Sequence, residues 1–410
     1  MADVIVVGAG PAGSVLATLL AEHELSVLLF EKATFPRPKV CGDYLNPGTV
    51  RLLRRLGLLG AVEAAGPQRL RGMQVTSPDG TTFTARFPTG GAPGEGPPYA
   101  LSLPRATLDL VLLEEARRRG VPCREGFRVT GLLWAAGRVC GVRGIGPDGA
   151  AEFRGRIVVG ADGRNSVVAR RLDVHRPHPR LRRMALEAYY QGPSRLHDHG
   201  VIALTGGYYG ILNPVGQDLV NASIVLDHAS LAPWKGRLED LFDDRLAGLP
   251  HAAGALAGMR RQGGVGCLGP LAFRARRTVQ DGAILIGDAA GFYDPFTGEG
   301  VSHALGDAER AARCIARALA HGHEAATLLA VFGRAQRRAR AERQRLGAAL
   351  QAILRRPALA NALARCLCRH PPAADLLLGV IGELLPVQAL WSGDLASSLT
   401  RYQSSVISYQ

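Results

Sequence analysis

Gly8, Gly10 and Gly13 stand in the spacing G-x-G-x-x-G, within Gly8-Ala9-Gly10-Pro11-Ala12-Gly13. That string alone is a weak signal. Here a β-branched run, Asp3–Val7, precedes it, and the helical pattern Val15, Leu16, Leu19, Leu20 follows. A second short apolar strand, Ser26–Phe30, ends at Glu31, the acid expected about 20 residues on. Together these form a unit that holds the pyrophosphate of a dinucleotide. Gly8 permits the tight turn, Gly10 lets the backbone approach the phosphates, and Gly13 lets helix pack on strand. Pro11 and Ala12 open a helix whose free N–H groups and positive dipole end face the anion. Glu31, with Lys32 beside it, accepts from a ribose diol.

Three later segments favour FAD over NAD. Arg105 opens a helix running to about Arg119, where it is either a holder of a polar cofactor group or an exposed base. Ile157–Ser166 reads as a strand, an Asp162-Gly163 turn and a helix start; the plain alternative is a turn capped by Asn165 or Ser166. Gly282–Ala290 repeats strand into turn at Gly287 and Asp288, placing Asp288 where ribityl hydroxyls would sit. Asp294–Val301 then carries Gly298, Glu299 and Gly300 into another helix, whose first N–H groups would stabilise charge on a reduced flavin.

These segments, in this order, resemble the flavoprotein family of the aromatic hydroxylases, flavin-dependent halogenases and geranylgeranyl reductases, over roughly residues 1–335. In that family Gly8–Gly13, Glu31, Arg105, Asp162 and Asp288 match FAD-binding positions. Phe35–Leu45 resembles the P-x-x-K-x-C-G stretch of the reductases, and Pro295–Val301 is similar to their P-F-T-G-E-G-I. Their Y-x-W-x-F-P motif corresponds here to Tyr209-Gly210-Ile211-Leu212-Asn213-Pro214, with Ile211 for Trp and Asn213 for Phe. The halogenase W-x-W-x-I-P motif is missing there.

The resemblance implies FAD and hydride transfer from reduced flavin to C=C bonds of a prenyl-type or other apolar substrate. It implies that Cys41 lies beside the flavin as the catalytic candidate, in proton delivery. Lys39, Tyr209, Ile211, Asn213 and Pro295 are the substrate-cavity candidates. Two other readings stay open: an FAD monooxygenase acting on an aromatic or polyketide substrate, and a non-catalytic peripheral membrane flavin-binding protein. No second dinucleotide unit of strand, G-x-G-x-x-G and helix is read, so electrons are expected from an external NAD(P)H or ferredoxin.

The elements that must position these residues read as α/β. A discontinuous Rossmann-type FAD domain (1–70, 101–175 and 271–335) carries an inserted, mostly antiparallel β-sheet substrate domain (71–100 and 176–270). A C-terminal helical region (336–410) follows. Thr89–Pro98 is a loop by composition. The helical region, with an arginine series over Arg334–Arg356, is either a cap on the other domains or a basic surface for anionic lipid.

The formal charge of +14 resides almost wholly in arginine, since Lys32, Lys39 and Lys235 are the only lysines. That pattern fits coding bias or attraction to an anionic membrane surface; no motif supports nucleic acid as a partner. The seven cysteines read as reduced thiols, and no uncharged run is long enough to span a bilayer. The expected location is cytoplasmic, including the inner face of the membrane. His197-x-His199 and Cys366-x-Cys368 each lack a second ligand pair, so no metal is expected. His303 reads as a packing or surface histidine.

Overall fold

The computed structural model describes the chain except residues 90–95, 217, 281, 321–324 and 393–410. Part of the Thr89–Pro98 loop and the end of the C-terminal region therefore lie outside the described residues.

Strand Ala2–Val7 is β-branched and almost wholly buried, as a parallel strand covered on both faces must be. It pairs in parallel with Val27–Phe30 on one side and with the end of Gly149–Gly160 on the other. Ala283–Leu285 extends this core, also in parallel. Val7 lies opposite both Phe30 and Gly160, and Gly160 opposite Leu285. This register brings the residues just past four strand ends, Gly8, Glu31, Asp162 and Asp288, to one edge of the sheet. Ligands of open parallel sheets bind outside that carboxyl edge.

Helix Pro11–Glu22 begins against its own strand. A Cβ at residue 13 would lie 1.8 Å from the Gly8 carbonyl oxygen, so only glycine permits the approach. The helix buries Val15, Leu16 and Leu20 in a core shared with helices Arg105–Arg118 and Gly300–Ala320.

A second, seven-stranded sheet runs in the order Arg260–Leu268, Arg183–Gln191, Leu219–Asp227, Tyr208–Pro214, His199–Leu204, Gly72–Thr76, Thr82–Arg86. Neighbours are antiparallel except His199–Leu204 beside Gly72–Thr76. Period-2 alternation gives this sheet two faces. Leu186, Ala188, Leu212 and Ile224 pack against Leu241, Phe242 and Leu249. Ala185, Ile211, Asn213, Ser223 and Val225 point the other way, into a cavity.

Helices Ala325–Leu354, Pro357–Arg369 and Pro371–Ile381 cover the far edge of that sheet. Leu346, Leu350, Leu367 and Leu378 share a core with Met73, Ala85 and Phe87. Among the described residues, no helix is long and apolar enough to cross a membrane.

The arginine series is not one basic face. Arg334, Arg337, Arg338 and Arg345 are exposed. Arg340 turns inward, donating to the Gly291 carbonyl at 2.8 Å and the Gly287 carbonyl at 2.9 Å and pairing with Asp307.

Candidate active site

One cavity of about 1210 Å³ joins the strand-end edge, the inner face of the seven-stranded sheet and the C-terminal helices. The strand-end wall contains Gly8, Gly10, Pro11, Ala12, Glu31, Lys32 and Asp162. The segment after the second strand adds Lys39, Cys41 and Gly42, and Arg105, Asp288, Pro295, Gly298 and Gly300 complete this part. Ile202, Leu204, Ile211, Asn213 and Val225 form the sheet wall, and Leu350, Leu354, Leu363, Leu367 and Leu378 the helical wall.

The strand-end wall fits FAD. Gly10, at the helix start, has no side-chain cap, and no acidic residue occupies the first turn, so backbone donors are left for an anion. Glu31 is fixed by its own backbone neighbours: Oε2 accepts from the Ala9 N–H at 3.0 Å and Oε1 from the Ala33 N–H at 3.1 Å. Arg37 lies 3.7 Å from Glu31 and 3.4 Å from Asp109. Buried polar atoms without partners cluster in this region: Arg37 Nε, Asp109 Oδ2 and Asp162 Oδ1. Such atoms are costly unless a ligand or water meets them.

Asp162 uses one carboxylate oxygen at a helix start and keeps the other free of hydrogen bonds. Its Oδ2 accepts from the Val167 N–H at 2.6 Å and so caps the short helix Val167–Arg171, whereas Oδ1 is left over. Ser166 caps the same helix by accepting from the Ala169 N–H at 2.9 Å. Arg105 is mostly committed to Asp109, donating through Nε at 2.9 Å and Nη2 at 2.7 Å. Its Nη1 lies 3.6 Å from the Cys41 sulfur. Burial works against the charged guanidinium, but Asp109 and Cys41 together outweigh it, so Arg105 stays a cation. The same cation, with burial, pulls the Lys39 ammonium below its ordinary value. Burial pushes the Cys41 thiol up, despite Arg105.

Gly13 packs helix against strand, as its place in the motif predicts. Three residues expected at the ligand lie outside the cavity lining. Gly287 is covered by Ala12 on one side, and its N–H donates to Asp307 at 3.0 Å. Tyr209 shares the sheet face of Ile211 and Asn213, but Phe296 stands edge-on to its ring at 5.3 Å. Its hydroxyl donates to Asp294 at 3.0 Å. Glu299 turns away from the cavity onto Arg343, and burial raises its carboxyl to about 7. Gly298 and Gly300 do line the wall. Gly298 takes φ +66°, and a Cβ there would meet the Tyr44 ring at 2.7 Å. His303 packs 3.8 Å from Glu299, and burial lowers its imidazole to about 4.

A buried polar network behind Cys41 escaped the motif search. Asn221 Nδ2 donates to the Cys41 carbonyl at 2.8 Å, to Asp43 Oδ2 at 2.9 Å and to Glu187 Oε1 at 3.0 Å. Glu187 Oε2 accepts from the Cys41 N–H at 2.9 Å. Tyr189 donates to Asp43 Oδ2 at 2.5 Å, and Asn213 Nδ2 donates to the Gly42 carbonyl at 2.7 Å. Glu187 shares its strand face with Arg183, Ala185, Tyr189 and Gln191, so alternation alone does not single it out. Burial raises Asp43 to about 6 and Glu187 to about 7.

Comparison with known proteins agrees with this geometry. The FAD binding domain family matches residues 1–345. A digeranylgeranylglycerophospholipid reductase from Methanococcoides burtonii is 31% identical over 331 residues, 78% of this chain and 75% of its own. A 6-methylpretetramide 4-monooxygenase from Streptomyces rimosus is 31% identical over 313 residues, 75% of this chain and 73% of its own. The structure of a flavin-dependent brominase superposes with a TM-score of 0.81, covering 100% of this chain and 98% of its own at 21% identity, and so shares the fold. The match over residues 1–345 and the glycine-rich strand end at the cavity agree: the chain belongs to the FAD binding domain family, among the FAD-dependent oxidoreductases related to the geranylgeranyl reductases.

Proposed function

We propose that this protein reduces C=C bonds of a prenyl-type or similarly apolar lipid substrate. The observation that carries the reading is the continuity of the cavity. It runs from the FAD-fitting strand ends to walls of Ile202, Leu204, Ile211, Leu354 and Leu378, with no charged side chain among these five. An apolar chain gains roughly 0.8 kcal/mol per buried CH₂ in such surroundings.

FAD, when bound and reduced, supplies hydride. The chain's own residues hold the double bond in place, exclude water and O₂, and provide the proton that completes the reduction. Cys41 lies where the apolar wall meets the strand-end wall, and its raised thiol keeps the proton at neutral pH. Lys39 and Arg105 place positive charge beside it. Electrons enter from an external donor, NAD(P)H or reduced ferredoxin.

A second reading, hydroxylation of an aromatic or polyketide substrate, draws on two observations. Asn213 and Arg164 put polar groups on the cavity wall. The Streptomyces rimosus monooxygenase is as similar to this chain as the archaeal reductase.

The test is product mass. Dithionite-reduced protein is mixed without air with a panel of geranylgeranyl lipids, and an aerobic run with NADPH and phenolic polyketides stands beside it. Gain of two hydrogens per double bond in the anaerobic arm supports reduction. Gain of one oxygen in the aerobic arm, with no anaerobic product, overturns it.

A further inference from the structure

The network behind Cys41 does more than join two domains. It contains two buried carboxylates, Asp43 and Glu187, at 1% and 5% exposure, bridged by one amide group of Asn221. The Tyr189 hydroxyl donates to Asp43. Their other hydrogen-bond partners among the described residues are donors too: the Arg105 N–H to Asp43 at 3.0 Å, the Cys41 N–H to Glu187, and Asn221 to both. Two anions this close and this dry cannot both be cheap, so one proton is retained between them. The bonds place it. Asp43 takes up three donors, which suits the anion. Glu187 takes up only two, so Glu187 is the member that keeps the proton.

We propose that Glu187 and Asp43, bridged by Asn221 and with Tyr189 bonded to Asp43, act as a one-proton unit that positions the Cys41–Asp43 segment and sets how readily the Cys41 thiol ionises. The coupling is direct. Glu187 and Asn221 hold the Cys41 backbone at its N–H and its carbonyl. The Asp43 N–H donates to the Cys41 sulfur at 3.4 Å. Loss of the shared proton adds a second negative charge beside the sulfur and disfavours thiolate. Arg105 supplies a fixed positive charge, and Lys39, whose ammonium Arg105 and burial hold below its ordinary value, is the other titratable group beside the thiol. The strand Leu219–Asp227 presents neutral Asn221 and Ser223, and the strand Arg260–Leu268 presents Gly266. This role holds whichever reaction the cavity carries.

The test reads the thiol in the protein without added substrate. Iodoacetamide reacts with thiolate, and peptide-resolved mass spectrometry separates Cys41 from the exposed Cys267, Cys366 and Cys368. In the wild type, the logarithm of the Cys41 alkylation rate should rise with pH and then flatten above about pH 7, as Glu187 ionises. In Glu187→Gln the rise should continue, giving about 10-fold faster alkylation at high pH, the effect of about one unit in the thiol pKa. Tyr189→Phe, which keeps the ring and the strand, should move the break to a different pH. Ser223→Ala, outside the unit, should leave it in place. Parallel profiles for wild type, Glu187→Gln and Tyr189→Phe, with each variant folded by its thermal transition, would overturn the proposal.

Discussion

The two walls of the cavity are built by opposite means. The strand-end wall is mainly backbone: a helix start, glycines, and the ends of four parallel strands held in register. Its key contacts span few residues, as when Glu31 accepts from Ala9 and Ala33. The sheet wall is built of side chains that meet only through the fold. Asn221 reaches Asp43 across 178 positions and Cys41 across 180. A local device can be recognised by spacing and tolerates few replacements. A long-range one is spelled by scattered residues, and its parts can be exchanged singly, so this is where related flavoproteins can diverge in chemistry.

The largest effect is expected where backbone approaches backbone. Gly13→Val places a branched side chain on the Gly8 carbonyl, already 1.8 Å from an ideal Cβ. It should cost more than about 3 kcal/mol and give colourless, poorly folded protein, read by flavin absorbance and thermal unfolding. Retention of stoichiometric FAD by this variant would break the comparison at its root.

Glu31→Arg comes next. It removes the acceptor of two backbone N–H groups and sets a cation beside Arg37. Losing a charge-assisted bond costs roughly 1.5–3 kcal/mol, or about 10- to 100-fold in FAD affinity, measured by titrating apoprotein with FAD. Unchanged affinity would move the adenosine ribose away from Glu31.

Glu187→Gln tests the sheet wall through stability. Burial raises Glu187 to about 7, above its ordinary value near 4. A raised carboxyl binds its proton more tightly in the folded chain. Its stabilising share is therefore complete below about pH 4 and is lost as pH climbs through 7. The glutamine variant has no such proton to lose, so its stability should fall less between pH 5 and 8, by on the order of 1–2 kcal/mol in denaturant titrations. FAD affinity should stay as in the wild type.

Ile211→Trp, the smallest change, restores the aromatic of the similar reductases in the apolar wall. Narrowing the cavity should slow turnover of the longest prenyl chains by about 10-fold, roughly 1.4 kcal/mol, without altering FAD retention. Equal loss for short and long chains would remove the wall's role in chain selection.

The same contrast explains what the sequence disclosed. Gly8–Gly13, Glu31 and Asp288 were legible because a parallel strand, a tight turn and a helix start leave contiguous signatures. The antiparallel sheet was legible from alternation, as at Ala185–Tyr190. Parity alone could not exclude Tyr209 from the cavity, because Phe296 and Asp294, which cover it, arrive from 85 or more positions away. Nor could it separate Arg340 and Arg343 from their exposed neighbours. Those two face Asp307 and Glu299 only once helix Ala325–Leu354 has docked. Glu187 was not legible, because its strand face also carries Arg183 and Tyr189 and its partners depend on strand register and on the left-handed backbone at Asp43.

The central claim is that one cavity holds both FAD and an apolar chain so that the chain's double bond is reduced. Its most direct test is anaerobic stopped-flow mixing of the dithionite-reduced protein, freed of excess reductant, with a geranylgeranyl lipid. Return of oxidised-flavin absorbance in step with lipid hydrogenation is the predicted result. Flavin that stays reduced against every prenyl lipid, yet reoxidises with oxygen to hydroxylate a phenolic substrate, would contradict it.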